Sequence, residues 1–182
     1  MKVDRINSGG SSWEQLGESI YGNNADDWFG RSVDITPDGN SLAVGTYVGV
    51  GPEYVKVFTL ENGGGDDNLG ANIWKQIGLT ITGEKYNDGF GQSVSLSDDA
   101  KTLAIGAPYA NDFDSGHVQV YRTNDFESGW TQIGEDIDGE ADEDRSGWCV
   151  SLSGDCKTVA IGSDRNGDNG NESGHARVFV AE

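Results

Sequence analysis

The chain contains three copies of one unit, and this repetition limits its fold more than any other feature. The motif Trp-x-Gln-Leu/Ile-Gly begins at Trp13, Trp74 and Trp130, so the copies start 61 and then 56 residues apart. Two further motifs recur in the same phase, and in the first copy they occupy residues 29–36 and 41–46. Spacing of this kind is typical of repeat architectures, in which each unit packs against its neighbours.

Each copy is predicted to form short strands joined by tight turns. In the middle copy, Val94 with Leu96 and Val118 with Val120 occupy alternate positions, and this period of two is typical of β-strands. The 28 glycines, against three prolines, suit many turns because glycine accepts a positive φ. The turns that join the first and second strands are as short as a hairpin connection should be: 37–40, 98–101 and 154–157.

The Trp-bearing motif supplies a fourth strand to each copy, and four antiparallel strands make a propeller blade. The sequence therefore predicts an all-β fold with no long helix, in which a disordered lead-in at 1–12 precedes a single domain at 13–182. The predicted parts of that domain are blade one at 29–81, blade two at 90–137, blade three at 146–180 and an N-terminal exchange strand at 13–20.

The two ends of the repeat array do not match. The third copy stops without a fourth strand, whereas residues 13–20 form a fourth strand with no blade before it. Ordinary propellers have about four to eight blades, so three are too few to close a ring. One expectation is a homodimer in which two copies exchange residues 13–20 and form a six-bladed disc. The alternative is a piece of a longer propeller that forms an open crescent.

The charge of the chain disfavours one class of partner. With 12 basic and 31 acidic residues, the formal net charge is -19, and such a field repels the phosphate backbone of nucleic acids. No apolar run reaches the roughly 18 residues that span a bilayer. Residues 1–12 lack the apolar core of a signal peptide. We therefore expect no nucleic-acid partner and no membrane insertion.

The two cysteines are predicted to remain unpaired, and their number does not indicate a compartment. If Ser153 pairs with Thr158 across the hairpin, Cys149 faces Gly162 while Cys156 lies in the turn. A disulfide needs Cα atoms within about 7 Å, and this arrangement separates the two cysteines by more than that.

No recognised catalytic motif occurs in the chain, which lacks His-Glu-x-x-His, Gly-x-Ser-x-Gly and a Walker-type phosphate loop. The two histidines, His117 and His175, take equivalent positions on different predicted blades, which favours a structural role. We predict a non-enzymatic binding or adhesion module whose ligand contacts the variable acidic loops. Two alternatives stay open: an enzyme, either a hydrolase or a lyase, with its site in the propeller funnel, and a purely structural repeat of a larger surface protein.

One acidic loop has the residue types of a calcium site. Asp164, Asn166 and Asp168 stand at alternate positions and Glu172 follows them after a glycine. Hard oxygen ligands around a glycine turn suit Ca²⁺, so these four residues are candidate metal ligands. His175 stands where the usual loop ends in Glu, and a solvated Asp/Asn turn is the alternative.

The repeated tryptophans are predicted to pack between blades, with an aromatic carbohydrate platform as the alternative. Phe29 and Phe90 are matched in the third copy by Ser146, and Trp148 follows two residues later. Alternate residues of a strand share a face. Trp148 is therefore predicted to fill the volume of the missing phenyl ring.

Several connections differ in length between copies, and variable loops on a constant frame often carry function. The alternative is that glycine-rich insertions cost little entropy and have no further role. The variable segments are 46–53, 107–116 and 163–174 between second and third strands, and an insert at 61–73.

Phe-Gly at 29–30 and 90–91, together with Gly-Ala-Pro at 106–108, resembles the FG-GAP repeat family of integrin-α-like β-propellers. The resemblance covers nearly all of the chain after residue 13. It implies a propeller with a role in adhesion or in binding a protein or glycan ligand on one face of the disc. It also implies a location outside the cell or at its surface.

Overall fold

The computed structural model describes residues 1–6, 9–47, 52–62 and 72–181. Parts of the predicted variable segments 46–53 and 61–73 lie outside these residues. In the described part of the chain the helical structure is one 3-10 turn, and no helix is long and apolar enough to cross a membrane. The elements are β1 (Asp4–Ile6), β2 (Trp13–Gln15), β3 (Ser32–Ile35), β4 (Ser41–Gly45), β5 (Tyr54–Asn62), β6 (Asn72–Thr82), β7 (Ser93–Leu96), β8 (Thr102–Ala107), the 3-10 turn (Asp112–Asp114), β9 (His117–Arg122), β10 (Thr131–Gln132), β11 (Ile137–Asp138), β12 (Ser146–Leu152), β13 (Thr158–Ser163) and β14 (His175–Val180).

Three antiparallel sheets follow one another along the chain, one for each repeat, and the predicted all-β class is confirmed. Sheet I has the strand order β3-β4-β5-β6, and sheet II has the order β7-β8-β9-β10 with β11 also paired to β9. Sheet III consists of β12-β13-β14, and β1 with β2 forms a separate two-stranded sheet. Strand β7 contacts both β3 and β12, so the first strands of the three sheets are neighbours.

The third strands begin where the sequence predicted them, at Tyr54, His117 and His175. The first strands of sheets I and II begin three residues later than their motifs. The cause is the glycine of each Phe-Gly pair, because Gly30 and Gly91 have φ values of +95° and +91°, which lie outside the β region.

Sheets I and II meet through a pair of glycines. The carbonyl oxygen of Gly91 lies in the space that a β-carbon on Gly45 would occupy. The same oxygen accepts a hydrogen bond from the Ser32 hydroxyl at 2.6 Å. The backbones therefore approach each other only because one glycine takes a positive φ and the other has no side chain.

Sheets II and III repeat this contact. The Gly147 carbonyl oxygen lies against Gly106 and accepts a hydrogen bond from the Ser93 hydroxyl at 2.9 Å. In sheet III the corresponding residues are Gly162 and Cys149, and the Cys149 sulfur is the nearest atom to the position of a Gly162 β-carbon. The structure thus repeats a glycine contact twice, once at each junction between sheets.

A pair of side chains closes the first hairpin of every sheet. A hydroxyl donates to the aspartate two residues later, and the same hydroxyl accepts a hydrogen bond from the N–H that follows the turn. The hydrogen bond from Thr36 is the main cause of the lowered pKa of Asp38. The hydroxyl–carboxylate pairs are Thr36–Asp38 at 2.6 Å, Ser97–Asp99 at 2.7 Å and Ser153–Asp155 at 2.7 Å.

The prediction of a disordered lead-in at 1–12 is wrong where β1 forms. Strand β1 pairs antiparallel with β2, and Asp4 stands opposite Gln15. The Leu16 N–H donates to the Val3 carbonyl at 2.6 Å, which extends the pair. A three-residue strand of mixed charge has no hydrophobic period, so the sequence pattern held no signal for it.

The prediction that Trp148 fills the volume beside Ser146 is also wrong. The Arg177 guanidinium takes that place, 5.2 Å from the centre of the Phe179 ring, and donates to the Ser146 hydroxyl at 3.3 Å. Gly147 has a φ of +88°, and the register between β12 and β13 shifts immediately after Ser146. The chain therefore lacks regular strand alternation between Ser146 and Trp148.

Both cysteines are free, as predicted. Cys149 stands opposite Gly162 in the ladder between β12 and β13. The Ser153 N–H donates to the Thr158 carbonyl at 2.8 Å, so Cys156 lies in the turn that follows Ser153.

The glycine contact predicts unequal costs for one substitution at equivalent positions. Gly106→Ala places a β-carbon on the Gly147 carbonyl oxygen and should lower the free energy of unfolding by about 2 to 3 kcal/mol. Gly162→Ala meets only the Cys149 side chain, which is exposed and can rotate, and should cost less than about 1 kcal/mol. Urea unfolding of both variants measures the difference, and equal costs would refute the role of the contact.

Candidate ligand-binding site

A buried aspartate anchors the loop that enters each sheet. Asp27, Asp88 and Asp144 share one repeat position, and at most 9% of any of them is exposed. The Asp27 carboxylate accepts hydrogen bonds from two backbone N–H groups earlier in its loop, both at 2.8 Å, and from the Tyr54 hydroxyl at 2.6 Å. Burial raises the pKa of Asp27, but these hydrogen bonds outweigh burial and the net shift is downward.

The residue after this aspartate has a left-handed backbone in every repeat. The φ values are +44° at Trp28, +72° at Gly89 and +56° at Arg145. Only glycine takes this conformation freely, and other residues lose about 1 to 2 kcal/mol in it. Repeats one and three therefore place large side chains where the middle repeat has glycine.

Two tyrosines are hydrogen-bonded to the loops that enter sheets I and II. Tyr47 and Tyr109 follow the second strands of sheets I and II, and their N–H groups donate to the carbonyls of Asp27 at 3.3 Å and Asp88 at 2.9 Å. Each tyrosine is thereby fixed beside the loop that enters its own sheet.

Four aromatic side chains form a row across the three repeats, and we call Trp28, Tyr47, Tyr109 and Trp148 the aromatic row. Successive ring centres are 5.7, 6.5 and 6.3 Å apart. The rings are inclined to one another by 42°, 62° and 90°, so faces and edges alternate along the row. Trp28 is 63% exposed and the other three are partly exposed.

Two arginines lie over the row. The Arg31 guanidinium is 5.8 Å from the centre of Tyr47, and that of Arg145 is 5.1 Å from Tyr109 and 5.9 Å from Trp148. Across the described ranges, neither arginine forms an ion pair with a carboxylate. In a chain with 31 acidic residues, these two arginines lack an acidic partner among the described residues, and the Arg31 Nε donates to the Gln92 side-chain oxygen at 3.1 Å instead. A carboxylate of a ligand can pair with the remaining N–H groups of such guanidiniums.

In the predicted calcium loop at 164–172, two of the four candidate ligands contact other side chains. Asn166 is 1% exposed, and its amide donates to both carboxylate oxygens of Asp144, at 3.2 and 3.1 Å. Glu172 lies 3.5 Å from the Arg165 guanidinium. The Asn166 side chain thus ties this loop to the loop that enters sheet III.

The other two candidates are separate from each other. Asp164 is exposed, whereas Asp168 lies with Glu140 and His175 in a group whose ligand atoms are all within 4.8 Å. In the described part of the chain a second such group contains His117, and its members are His117, Asp136 and Asp138. Calcium binding by residues 164–172 stays a prediction, and the structure leaves Asp168 as the candidate with acidic and imidazole neighbours.

The two histidines lie in different sheets and face carboxylates. His117 is buried, with Nδ1 3.5 Å from an oxygen of Asp136. The Nδ1 of His175 lies 3.7 Å from an oxygen of Glu140. The first pair joins the third strand of sheet II to the segment that follows it, and the second joins the third strand of sheet III to the segment that precedes that same sheet.

One carboxyl group is buried without a partner. Glu53 is fully buried, and within the described structure the backbone amides near its side-chain oxygens do not reach good hydrogen-bond geometry. Burial raises the pKa of Glu53 to about 7; the backbone amides of Asn87 and Gly89 oppose the shift and the nearby Asp88 carboxylate adds to it. The group therefore keeps its proton to a higher pH than an ordinary glutamate does.

The aromatic row was missed by sequence reasoning. Its members occupy unlike positions in the repeat, so no single motif collects them. One signal was present, because Tyr47 and Tyr109 both follow a second strand at nearly the same repeat position. The residue types at Trp28 and Arg145 do not indicate a left-handed backbone.

A family model described as FG-GAP repeat matches residues 76–121 and 136–179. The chain belongs to the FG-GAP repeat family. The match and the all-β structure together support a β-propeller repeat module. The two motif segments of the family are Phe90-Gly91 and Gly106-Ala107-Pro108 in the middle repeat, and their glycines are members of the contacts between sheets.

Comparison with other proteins adds little about activity. No curated protein matches the chain. Among solved structures, a hydrazine synthase of Kuenenia stuttgartiensis is similar at 14% identity and a TM-score of 0.45, over 99% of this chain and 51% of that one. A putative 6-phosphogluconolactonase of Bacteroides uniformis is similar at 10% identity and a TM-score of 0.42, over 100% of this chain and 64% of that one. The FG-GAP chain thus spans between half and two thirds of these structures.

The buried Glu53 predicts a loss of stability as the pH rises. Its carboxyl ionises in the unfolded chain from the ordinary value of 4.5 but in the folded chain only near 7. The folded state therefore holds the extra proton between these values, and the free energy of unfolding should fall across this window by on the order of 3 kcal/mol.

Glu53→Gln should remove that dependence, because a neutral amide of similar shape does not ionise. Denaturant unfolding from pH 4.5 to 8 measures it in both proteins. Equal slopes against pH in the wild type and the variant would contradict this assignment.

Proposed function

We propose that this FG-GAP chain is a non-enzymatic protein-binding module built of three propeller blades, and that its ligand lies on the aromatic row. Trp, Tyr and Arg are the residues that dominate binding energy at protein interfaces. The proposed site contains all three types, contributed by all three repeats, on one partly exposed surface.

The observation that carries this proposal is the backbone strain at two members of the site. Trp28 and Arg145 hold left-handed conformations with φ of +44° and +56°, where the middle repeat has Gly89. A bulky residue at positive φ is a real outlier that reduces stability, and such outliers cluster at functional sites. Neither side chain repays that cost through burial in the core, since Trp28 is 63% exposed and Arg145 lies over the row.

The inclination of the rings favours a protein ligand over a glycan. A saccharide that stacks on several aromatic residues needs their faces in one plane. Here successive rings are inclined by 42°, 62° and 90°. Such a surface offers clefts between rings, which suit the side chains of a polypeptide.

The charges around the row indicate what the ligand carries. Arg31 and Arg145 have no acidic partner among the described residues and are suited to bidentate pairing with a carboxylate. The acidic loops lie at the edge of this surface, since Glu143 and Asp114 flank Arg145 beside the exposed Phe113. A peptide segment with Asp or Glu at its centre and neutral or basic residues outside fits this pattern.

The enzyme alternative has one observation in its favour, which is the raised pKa of Glu53. Perturbed carboxyl groups are common in active sites. This carboxyl is fully buried, however, so a substrate has no access to it in the described conformation. We therefore propose no reaction for it.

The strain predicts a trade between stability and binding at Trp28. Trp28→Gly should raise the free energy of unfolding by about 1 kcal/mol, because glycine takes the left-handed backbone freely. Trp28→Ala keeps the β-carbon and should give no such gain, while both variants lose the indole ring and bind ligand less well. Thermal unfolding of the pair checks the first part, and a Trp28→Gly variant less stable than Trp28→Ala would contradict it.

A displayed library of random peptides tests the binding function. Peptides selected on the wild-type chain should be enriched in Asp and Glu, and their affinity should fall about tenfold or more for Arg145→Lys and for Trp28→Ala. Trp13→Ala is the matched control, because Trp13 is as exposed as Trp28 but lies outside the row. Selected peptides that bind all variants equally, or product formed from a peptide, would overturn the proposal.

A further inference from the structure

Trp74 fills a defined site between two repeats. Its indole ring lies on Gly17, and its Nε1 donates a hydrogen bond to the Leu16 carbonyl at 2.8 Å. Trp74 is only 9% exposed. The apolar side chains of the same cluster are Leu16, Ile20, Leu42, Val44 and Phe58.

Trp130 fills the equivalent site one repeat later. Its indole ring lies against Gly78, which takes the place of Gly17 and has a similar φ, +66° against +71°. The apolar side chains at the equivalent positions of this cluster are Ile77, Ile81, Leu103, Ile105 and Tyr121.

A third copy of the site exists and holds no tryptophan. Gly134 has a φ of +72°, and nothing lies within 4 Å of its β-carbon position. The groove beside it has a volume of about 230 Å³. A cavity of about 150 Å³ accepts a benzene ring, so this groove has room for the larger indole. Its apolar lining at the equivalent positions is Ile133, Ile137, Val159 and Phe179.

The edge beside this groove is an unpaired strand. In sheets I and II a fourth strand with the Trp-x-Gln motif covers the third strand, whereas β14 has no such partner in the described structure. Val178 and Val180 on β14 are 64% and 69% exposed. An exposed apolar edge of this kind is a template for pairing with another strand.

The tryptophan of the first motif, Trp13, does not fill a site of this kind in the described structure. Trp13 is 71% exposed, and among the described glycines none lies against its ring as Gly17 lies against Trp74. Its neighbours Leu16 and Ile20 are already buried against sheet I, as the equivalent residues of later repeats are buried against the next sheet. The segment therefore has one face packed and the other available.

Strand β1 occupies the edge of β2 on which pairing would depend. In sheets I and II the glutamine of the motif stands opposite an aromatic residue of the third strand, and in the N-terminal sheet it stands opposite Asp4. The opposing pairs are Phe58–Gln76, Tyr121–Gln132 and Asp4–Gln15. Relative to the glutamine of the motif, strand β1 thus takes the position that the third strand takes in sheets I and II, in the same register.

We propose that the groove beside Gly134 binds Trp13 of a second copy of this chain, that residues 13–20 of that copy pair with β14, and that β1 opposes this association. Because the donor strand and the acceptor groove lie at opposite ends of the chain, mutual exchange between two copies uses both. The short, exposed β1 must leave the edge of β2 before β14 can pair there. Association is therefore governed by a three-residue strand.

A synthetic peptide of residues 13–22 tests the groove on the full chain. It should bind the wild-type chain, and replacement of its tryptophan by alanine should weaken binding at least tenfold. Val180→Lys on β14 should weaken binding as strongly, while Val33→Lys, an equally apolar exposed position on β3, should not. Binding that is insensitive to the peptide tryptophan or to Val180→Lys would overturn the proposal.

Light scattering on full-length variants tests the second copy and the role of β1. Arg5→Pro removes a backbone donor from β1 without touching the core, since Arg5 is exposed. This variant should have at least twice the mass of one chain, and Arg5→Pro combined with Trp13→Ala should return to one chain. If the Arg5→Pro chain binds the peptide but keeps the mass of one chain at every concentration, the partner of the groove is not a second copy and the proposal fails.

Discussion

The three repeats depend on one backbone contact, a glycine carbonyl placed against the α-carbon of another glycine. At each junction the first glycine supplies a positive φ that turns its carbonyl toward the neighbouring sheet, and the second leaves the space that the oxygen fills. A serine hydroxyl then satisfies the oxygen, because a buried carbonyl without a partner would be costly. The glycines of the Phe-Gly and Gly-Ala-Pro motifs, Gly91 and Gly106, are among the residues that make this contact.

The repeat phase made much of the fold predictable. Strand positions, hairpin turns and the unpaired cysteines all follow from aligning the three copies, since equivalent residues meet equivalent surroundings. The prediction failed where a copy departs from the others. At Ser146 the missing phenyl ring is replaced by Arg177 from another strand, and the local shift in register at Gly147 separates Trp148 from the face it was expected to share.

The candidate site was less predictable for two physical reasons. The aromatic row collects residues from unlike positions of the repeat, and only the side-by-side placement of the first strands brings them together. Residue types alone suggested the calcium ligands at 164–172, and that ligand set stays a prediction. The Asn166 amide donates to the Asp144 carboxylate and joins two loops, a contact between distant residues that residue types do not reveal.

The contact between glycines also determines how stability is distributed along the molecule. It acts between sequence neighbours, and each hairpin is closed by its own hydroxyl–carboxylate pair, so in the described ranges the coupling between sheets I and III runs through sheet II. A chain of this kind behaves as a one-dimensional array, in which stability is a sum of unit and junction terms. Unfolding then begins at a terminal unit and advances inward, and an added or lost repeat changes the length of the array without disturbing the packing of the units that remain.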